Sequence, residues 1–491
     1  MRKALFYQGF TVNQTAHQSH LVYRVYVPKN IKLIEIHFSY HPILETNKDS
    51  IRGAVRREGL DDSIVQEDTE LRNLLTMSVN DPHKYRGSHH FFCQEQVIEI
   101  GSDTATEGFW AGEIQEGYWE FIVNCHGVFS KVVHGQLEVF GVSTQVDDKE
   151  IPLSPLEEIE FVQMKKQRQS DREQTYRVKK VELHAHTVHS DATQTTEQLL
   201  EQTEKEDIDW LAITDHNTTS ALREAEKMQS LEKRVNLLHG IEYTTYDGHF
   251  LVHGDLEAIT YDWTEISKTS IPDFLKKLKE KDVYLTIAHP FDIGNPFCTG
   301  CRWEYVLDNL AFVDAIEVWN GTNPHQSISN EDAYYKWTEL LAQGYEIAAS
   351  SGRDWHQLYP NEEIAYTYVL LPEETAAEKD VLAALSLGRT YCSIRPQIDF
   401  KLNDLYLLGD RIEVKTDELK ISLRITDLLK DDEIRIYSDR SLLYEEQFIT
   451  NRDWQKVLKM QNDGYKLLRV EINNKRNERI AFTNPIYIDC Y

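Results

Sequence analysis

The chain has 491 residues, with 53 Lys and Arg against 81 Asp and Glu, a formal net charge of −28. Its 41% hydrophobic and 27% charged residues are those of a core-forming protein, and the length suggests about three domains. The acidic balance argues against nucleic acid or an anionic membrane as partner, because both call for surplus basic groups. It is compatible with holding divalent cations. The first residues, MRKALFYQGFTVNQTAHQSH, contain no sustained apolar run and do not read as a secretory signal. No stretch has the roughly 18 apolar residues of a membrane helix. Six cysteines are too thin a set for a disulfide framework, so a reduced, cytoplasmic setting is expected. Cys298 and Cys301 form a lone C-x-x-C, which could be half a zinc site or a redox pair but, in a loop-like context without a second C-x-x-C, reads as two incidental thiols.

Residues 1–163 alternate short β-prone runs with turns, among them HLVYRVYVP, IKLIEIHFSY and GYWEFIVNCH. That period predicts an antiparallel sandwich or jelly-roll-like domain. Residues 164–180 are nearly all polar and read as a linker or exposed helix. From 181 to 395 apolar strand-like runs alternate with helical segments, which predicts a parallel sheet, open or closed into a barrel. Thr195 and Gln198 make a capping box ahead of Leu199 and Leu200, and Ser270 is the expected cap of a second helix. Residues 396–491 return to short strands and predict a second β-sandwich.

Ten of the 19 histidines fall between His184 and His356. They and several carboxylates sit where predicted strands end: His184 and His186, then Asp215 and His216, then Glu242, His289, Glu317, and finally Asp354 and His356. In a parallel α/β barrel those ends form one mouth, so residues far apart in sequence converge. Imidazole with carboxylate is the ligand set of zinc, manganese or iron. Each pair alone is an ordinary structural feature. Their recurrence at consecutive strand ends is not.

Taken in order, HAHTVHSD, ITDHN, GIE, AHP and RDWH resemble the signature segments of the PHP (polymerase and histidinol phosphatase) metal-dependent phosphoesterases. GHFLVHG, AIEVWNGT, GRTYCS and TNPIYI are most similar to its CehA/McbA branch. The resemblance covers about Val181 to Ser393 plus the TNPIYI tail, and it does not extend to the first 160 residues. It implies a multidomain α/β plus all-β protein: a central distorted (β/α)7 barrel flanked by N-terminal and C-terminal β-sandwiches. It also implies about two or three divalent transition-metal ions, Zn, Mn or Fe. His184, His186, Glu242 and Asp354 match the first position. Glu242 as bridge, His289 and either His249 or His253 match the second, with His249 favoured. Asp191, His216 and His356 match the third.

The resemblance implies a metal-dependent hydrolase, a phosphoesterase using a metal-bridging hydroxide on a small, phosphorylated substrate. Glu242 and Asp354 anchor that chemistry. Glu317 reads either as a proton shuttle or orienting group, or as an ordinary hydrogen-bonded barrel residue. Arg353 stands where the family more often has a small residue, and could pair with a substrate anion or a neighbouring carboxylate. Asn320 and Arg389 are candidate substrate contacts. His189, His239 and His325 read as structural or surface histidines. The same site could instead hydrolyse a carboxyl ester or carbamate. A different class, a carbohydrate- or partner-binding scaffold with a vestigial barrel, is disfavoured because every ligand position holds a competent residue. Loops after the strands, and a flanking β-domain leaning over the mouth, are where specificity is expected.

Overall fold

The computed structural model describes residues 2–143, 175–231, 235–294, 298, 300–306, 310–359, 361–373, 377–414, 418–438, 441–448, 452–461 and 464–490. It is a mixed α/β protein rich in strands and built from several sheets. Most of the expected 164–180 linker lies outside the described residues; its last residues instead enter the strand Tyr176–Glu182.

The N-terminal strands form two four-stranded antiparallel sheets. One runs Arg2–Val12, Val133–Ser143, Ile31–His41, Glu95–Gly101; the other Ser19–Val27, Gly117–Gly127, Leu74–Asn80, Tyr85–His89. Period-2 patterning decides which side faces in. Along Ile31–His41, Ile34, Ile36, Phe38 and Tyr40 are buried, and they share one core with Met77, Val79, Trp119 and Phe121 of the other sheet.

The central strands follow one another through a single sheet: Tyr176–Glu182, Trp210–Ile213, Asn236–Thr244, His249–His253, Tyr284–Ile287, Ala315–Asn320 and Ala348–Gly352. The first three pair in parallel, as do the last three. His249–His253 departs from the expected parallel order, running antiparallel to both neighbours. The reason is local: the 245–248 turn between it and the preceding strand is far too short for a parallel crossover. The ladder does not close into a continuous ring. Its two ends meet at one bridge, where the His186 amide donates to the Trp355 carbonyl (3.0 Å) and the Trp355 amide to that of His184 (3.1 Å).

Helices Thr196–Lys205, Ser220–Leu231, Ile271–Lys279, Ile328–Ala342 and Glu378–Leu387 alternate with these strands. The Thr195/Gln198 capping box is present. Ser270 differs: its hydroxyl donates to the Glu265 carbonyl rather than capping Ile271–Lys279, and Pro272 opens that helix instead. Among the described residues no helix is long and apolar enough to cross a membrane.

The sheet does not stop near residue 395. Thr390–Ser393 pairs with Arg479–Thr483, so strands Leu467–Asn473, Glu433–Ser438 and Ser441–Gln447 continue the central sheet. A separate three-stranded sheet, Gln397–Leu402, Glu418–Leu428 and Arg452–Gln461, contributes to the same C-terminal core. Asn484 in the TNPIYI tail bonds both the amide (2.7 Å) and the carbonyl (2.9 Å) of Ala349, tying the tail to the strand that leads to the mouth.

Candidate metal centre

At the mouth the strand ends bring six imidazoles and three carboxylates together in three overlapping groups. Within each, one ligand atom per residue lies within 4.8 Å of the others. His184, His186, Glu242 and Asp354 form the first; Glu242, His249 and His289 the second; His186, Asp191, His216 and His356 the third. Glu242 joins the first two and His186 the first and third.

The distances are those of donors sharing a centre. Asp354 Oδ1 lies 3.0 Å from His186 Nε2 and 3.4 Å from His184 Nε2. Glu242 Oε1 lies 3.0 Å from His249 Nδ1 and 3.1 Å from His289 Nε2, while Oε2 lies 2.7 Å from His216 Nδ1. Asp191 Oδ1 lies 3.0 Å from His356 Nε2 and 3.3 Å from His216 Nε2. The antiparallel strand places His249 at the mouth, because its N-terminal end lies there. His253, on the same face of that strand, faces the carbonyl of Leu183 (3.0 Å) instead.

The residues behind the donors point them inward. Glu317 Oε1 lies 3.0 Å from His184 Nδ1, leaving Nε2 for the cluster, and its Oε2 accepts from the His289 amide (3.1 Å) and Asn320 Nδ2 (2.9 Å). The carbonyl of Cys301 takes His289 Nδ1 (3.2 Å) and that of Asp354 takes His356 Nδ1 (2.9 Å). An outward nitrogen on an oxygen acceptor is the usual way of fixing a ligand imidazole. Asp215 serves the loop: it accepts from the Thr187 amide, the Thr187 hydroxyl and the Ser190 hydroxyl, ordering the turn that carries Asp191. Gly352 is required for close packing, since a Cβ there would lie 2.3 Å from Glu317 Oε1 and 2.5 Å from His184 Cβ. His289 and Asp354 have positive φ, 24° and 51°. Such strain costs roughly 1–3 kcal/mol per residue and persists where surrounding structure enforces it.

Electrostatics follow from crowding. Burial opposes ionisation of Glu242, yet the imidazoles of His216, His184 and His249 hold its carboxyl well below the ordinary range. Asp191 and Asp354 are lowered in the same way by their histidines. Burial also opposes charging His184, but Glu317, Asp354 and Glu242 raise it well above normal. His186 and His249 are the exceptions: burial lowers both, and with His356 and His216 beside it His186 falls to about 3.

The residues fit a cation. His184 Nε2, His186 Nε2, His249 Nε2, Glu242 Oε2 and Asp354 Oδ1 are buried without a well-formed hydrogen bond. Buried polar atoms left this way need an explanation, and an N/O donor set of this kind binds zinc, manganese or iron.

Other expected site residues lie elsewhere. Arg353 turns away from the mouth: its guanidinium pairs with Glu206 (2.7 Å) and Glu182 (3.3 Å) and lies over the Trp355 ring. Arg389 is equally engaged, with Asp410 (3.2 Å) and the Tyr176 hydroxyl. Neither lines the cleft; each is one long side chain satisfying buried carboxylates beneath the mouth. Asn320 lines a smaller side cavity next to His289. His189 pairs with Glu224, His239 with Glu226 and Glu378, and His325 lies near Glu363, all outside the cluster. Cys298 and Cys301 are not free thiols; they form a disulfide in the loop after His289.

A cleft of ≈ 520 Å³ opens over the cluster, and the N-terminal sheets cover its far side. His90 and His126 reach in from them. The sequence marks neither, because His126 stands in the ordinary strand Gly117–Gly127 and His90 just follows the strand Tyr85–His89, with no adjacent carboxylate.

No family model and no curated protein matches the chain. Among solved structures, a two-domain protein from Bacteroides vulgatus containing a predicted PHP-like metal-dependent phosphoesterase is 16% identical. The match covers 65% of this chain and 99% of that one, with a TM-score of 0.37. A candidate metal-dependent phosphoesterase from Bifidobacterium adolescentis is 19% identical over 37% of this chain and 89% of its own, TM-score 0.27. An amidohydrolase from Chromobacterium violaceum, with bound sulfate and no metal, is 17% identical over 36% and 87%, TM-score 0.25. Likeness at this level leaves the functional assignment to the side chains themselves.

Proposed function

We propose that the protein is a metal-dependent hydrolase, a phosphoesterase of the PHP type and its CehA/McbA branch, acting on a small phosphorylated substrate. The observation that supports this is the set of three donor groups knit together by Glu242 and His186. Zinc, manganese or iron, when bound, supplies water activation near neutral pH and offsets charge on the substrate oxygens. Glu242, His249 and His289 would hold one cation, His184, His186 and Asp354 with Glu242 a second, and Asp191, His216 and His356 a third.

The chain's own residues do the rest. Glu317 fixes the His184 tautomer and the backbone at His289. Asp215 and the Asp354 carbonyl fix the loop of Asp191 and the ring of His356. The N-terminal sheets cover the far side of the cleft. Arg353 and Arg389 hold the scaffold and leave substrate contact to groups on the cleft wall.

Metal analysis and colorimetric assays of manganese-loaded protein with p-nitrophenyl phosphate, bis-p-nitrophenyl phosphate and p-nitrophenyl acetate test the reading. Bound metal with turnover of a phosphate ester is expected. Turnover of the acetate alone would replace phosphoryl by acyl transfer, and protein that takes up no transition metal would leave only a scaffold.

A further inference from the structure

The floor of the cleft is built of imidazoles and carboxylates, whereas the wall opposite mixes apolar surface with Glu70, Arg72, His90 and His126. It comes from the N-terminal sandwich and a neighbouring two-residue strand pair, Leu44–Glu45 with Leu71–Arg72. Phe92 (42% exposed) and Leu44 (40% exposed) present bare apolar surface there. Arg72 projects into the same space with its guanidinium 4.8 Å from the centroid of the Phe92 ring. Among the described residues no carboxylate pairs with it, although the chain carries 81 acidic groups. An unpaired guanidinium resting on an aromatic face in a concave site is a ready receptor for a planar anion.

His90 adds an independent sign. It is only 6% exposed, lines the cleft, and packs 4.9 Å from the His216 ring and 4.6 Å from His126. Its Nδ1 has no hydrogen-bond partner. A buried polar atom beside a cleft, unsatisfied by protein, is suited to a ligand oxygen.

We propose that the N-terminal sandwich is the specificity half of the site: Arg72, backed by Phe92, and His90 bind the organic portion of the substrate, selecting esters that carry a second anionic group on an aromatic or other planar body. This rests on the hydrolase reading, with the scissile group at the Glu242 floor. Apolar surface at Phe92 and Leu44 takes the planar body, Arg72 takes the distal anion, and His90 meets a polar atom nearer the floor. The role is one of binding; no bond changes at the roof.

The test uses the full chain, metal-loaded, and two non-hydrolysable probes read by titration calorimetry: phenylphosphonate and 4-carboxyphenylphosphonate. Wild type is expected to bind the carboxylated probe at least about tenfold more tightly, the scale of one charge-assisted hydrogen bond. Arg72→Met, at an exposed position that does not disturb the fold, is expected to remove that preference. His90→Gln is expected to weaken both probes together, with its circular dichroism and melting temperature confirming an intact fold. Equal binding of the two probes by wild type, or a preference that survives in Arg72→Met, overturns the proposal while leaving the hydrolase standing. Wild-type protein that takes up no metal, or that binds metal but turns over neither phosphate ester nor acetate, defeats the hydrolase reading and takes the proposed role of this wall with it.

Discussion

The histidines on the floor of the cleft and those in its roof are buried alike and surrounded differently. On the floor, carboxylates lift His184 and His216 well above the ordinary imidazole range although burial opposes it. In the roof, burial prevails: His90, with only a weak pull from distant acids and His216 beside it, falls to about 3, and His126 also lies well below normal. His126 stacks on Trp263 and bonds the Thr76 hydroxyl (3.0 Å), a packing role. His186 on the floor also falls to about 3, so what sets the floor apart is contact with the carboxylates of the cluster, which neither roof histidine makes among the described residues, rather than burial.

Breaking the floor should have the largest effect. Glu242 serves two donor groups, so Glu242→Gln is expected to lose most of its bound metal by elemental analysis. Turnover should drop by more than the roughly 10–100-fold of an outer partner. Retention of full metal content would show that Glu242 is not the bridge. Next comes Arg353, a strand-end charge that faces away from the cleft. Removing one partner of a buried ion pair costs about 3–5 kcal/mol, so Arg353→Met should unfold at markedly lower urea while folded material keeps its metal. A metal-free but stable variant would return Arg353 to the site.

Glu317 tests the layer behind the donors. Glu317→Gln keeps an acceptor beside His184 Nδ1 but loses the charge, and a roughly 10–100-fold loss in metal affinity or kcat/KM is expected. The smallest effect is at His239, which has two carboxylates but lies outside the cleft, three residues before Glu242 on the same strand. Burial lowers it, yet Glu378 and Glu226 raise it to about 8. A raised folded-state pKa gives stability that is fully present below the unfolded value near 6.5 and lost as pH rises through about 8. His239→Gln should therefore cost on the order of 1 kcal/mol at pH 6 and nothing at pH 9.5 by urea titration. Metal content should not change, which separates a paired histidine from a ligand.

Much of the floor was legible beforehand. His184, His186, His216, Glu242, His289, Asp354 and His356 stand at the ends of recognisable strands, Asp191 came with the family motif, and the structure gathers all eight. Deciding between His249 and His253 was not legible, because alternation puts both on one face and only strand direction tells which end is the mouth. For Arg353 the sequence left a substrate anion and a neighbouring carboxylate equally open, and Glu182 and Glu206 beside it favour the second; Arg389, a candidate substrate contact, is held by Asp410. The C-x-x-C pair, read as incidental thiols in preference to a redox pair, closes into a disulfide.

By itself, then, the sequence determined the β, α/β, β rhythm, the Thr195 cap and the order of the clustered imidazoles and carboxylates that could hold metal. These depend on local periodicity and on which residue types end a strand. The tertiary structure alone decided that the sheet crosses residue 395, that His249–His253 runs backwards, and that a cleft wall with Arg72, Phe92 and His90 lies over the floor. Those features depend on which edges and faces meet across long stretches of chain, and no window of neighbouring residues records that.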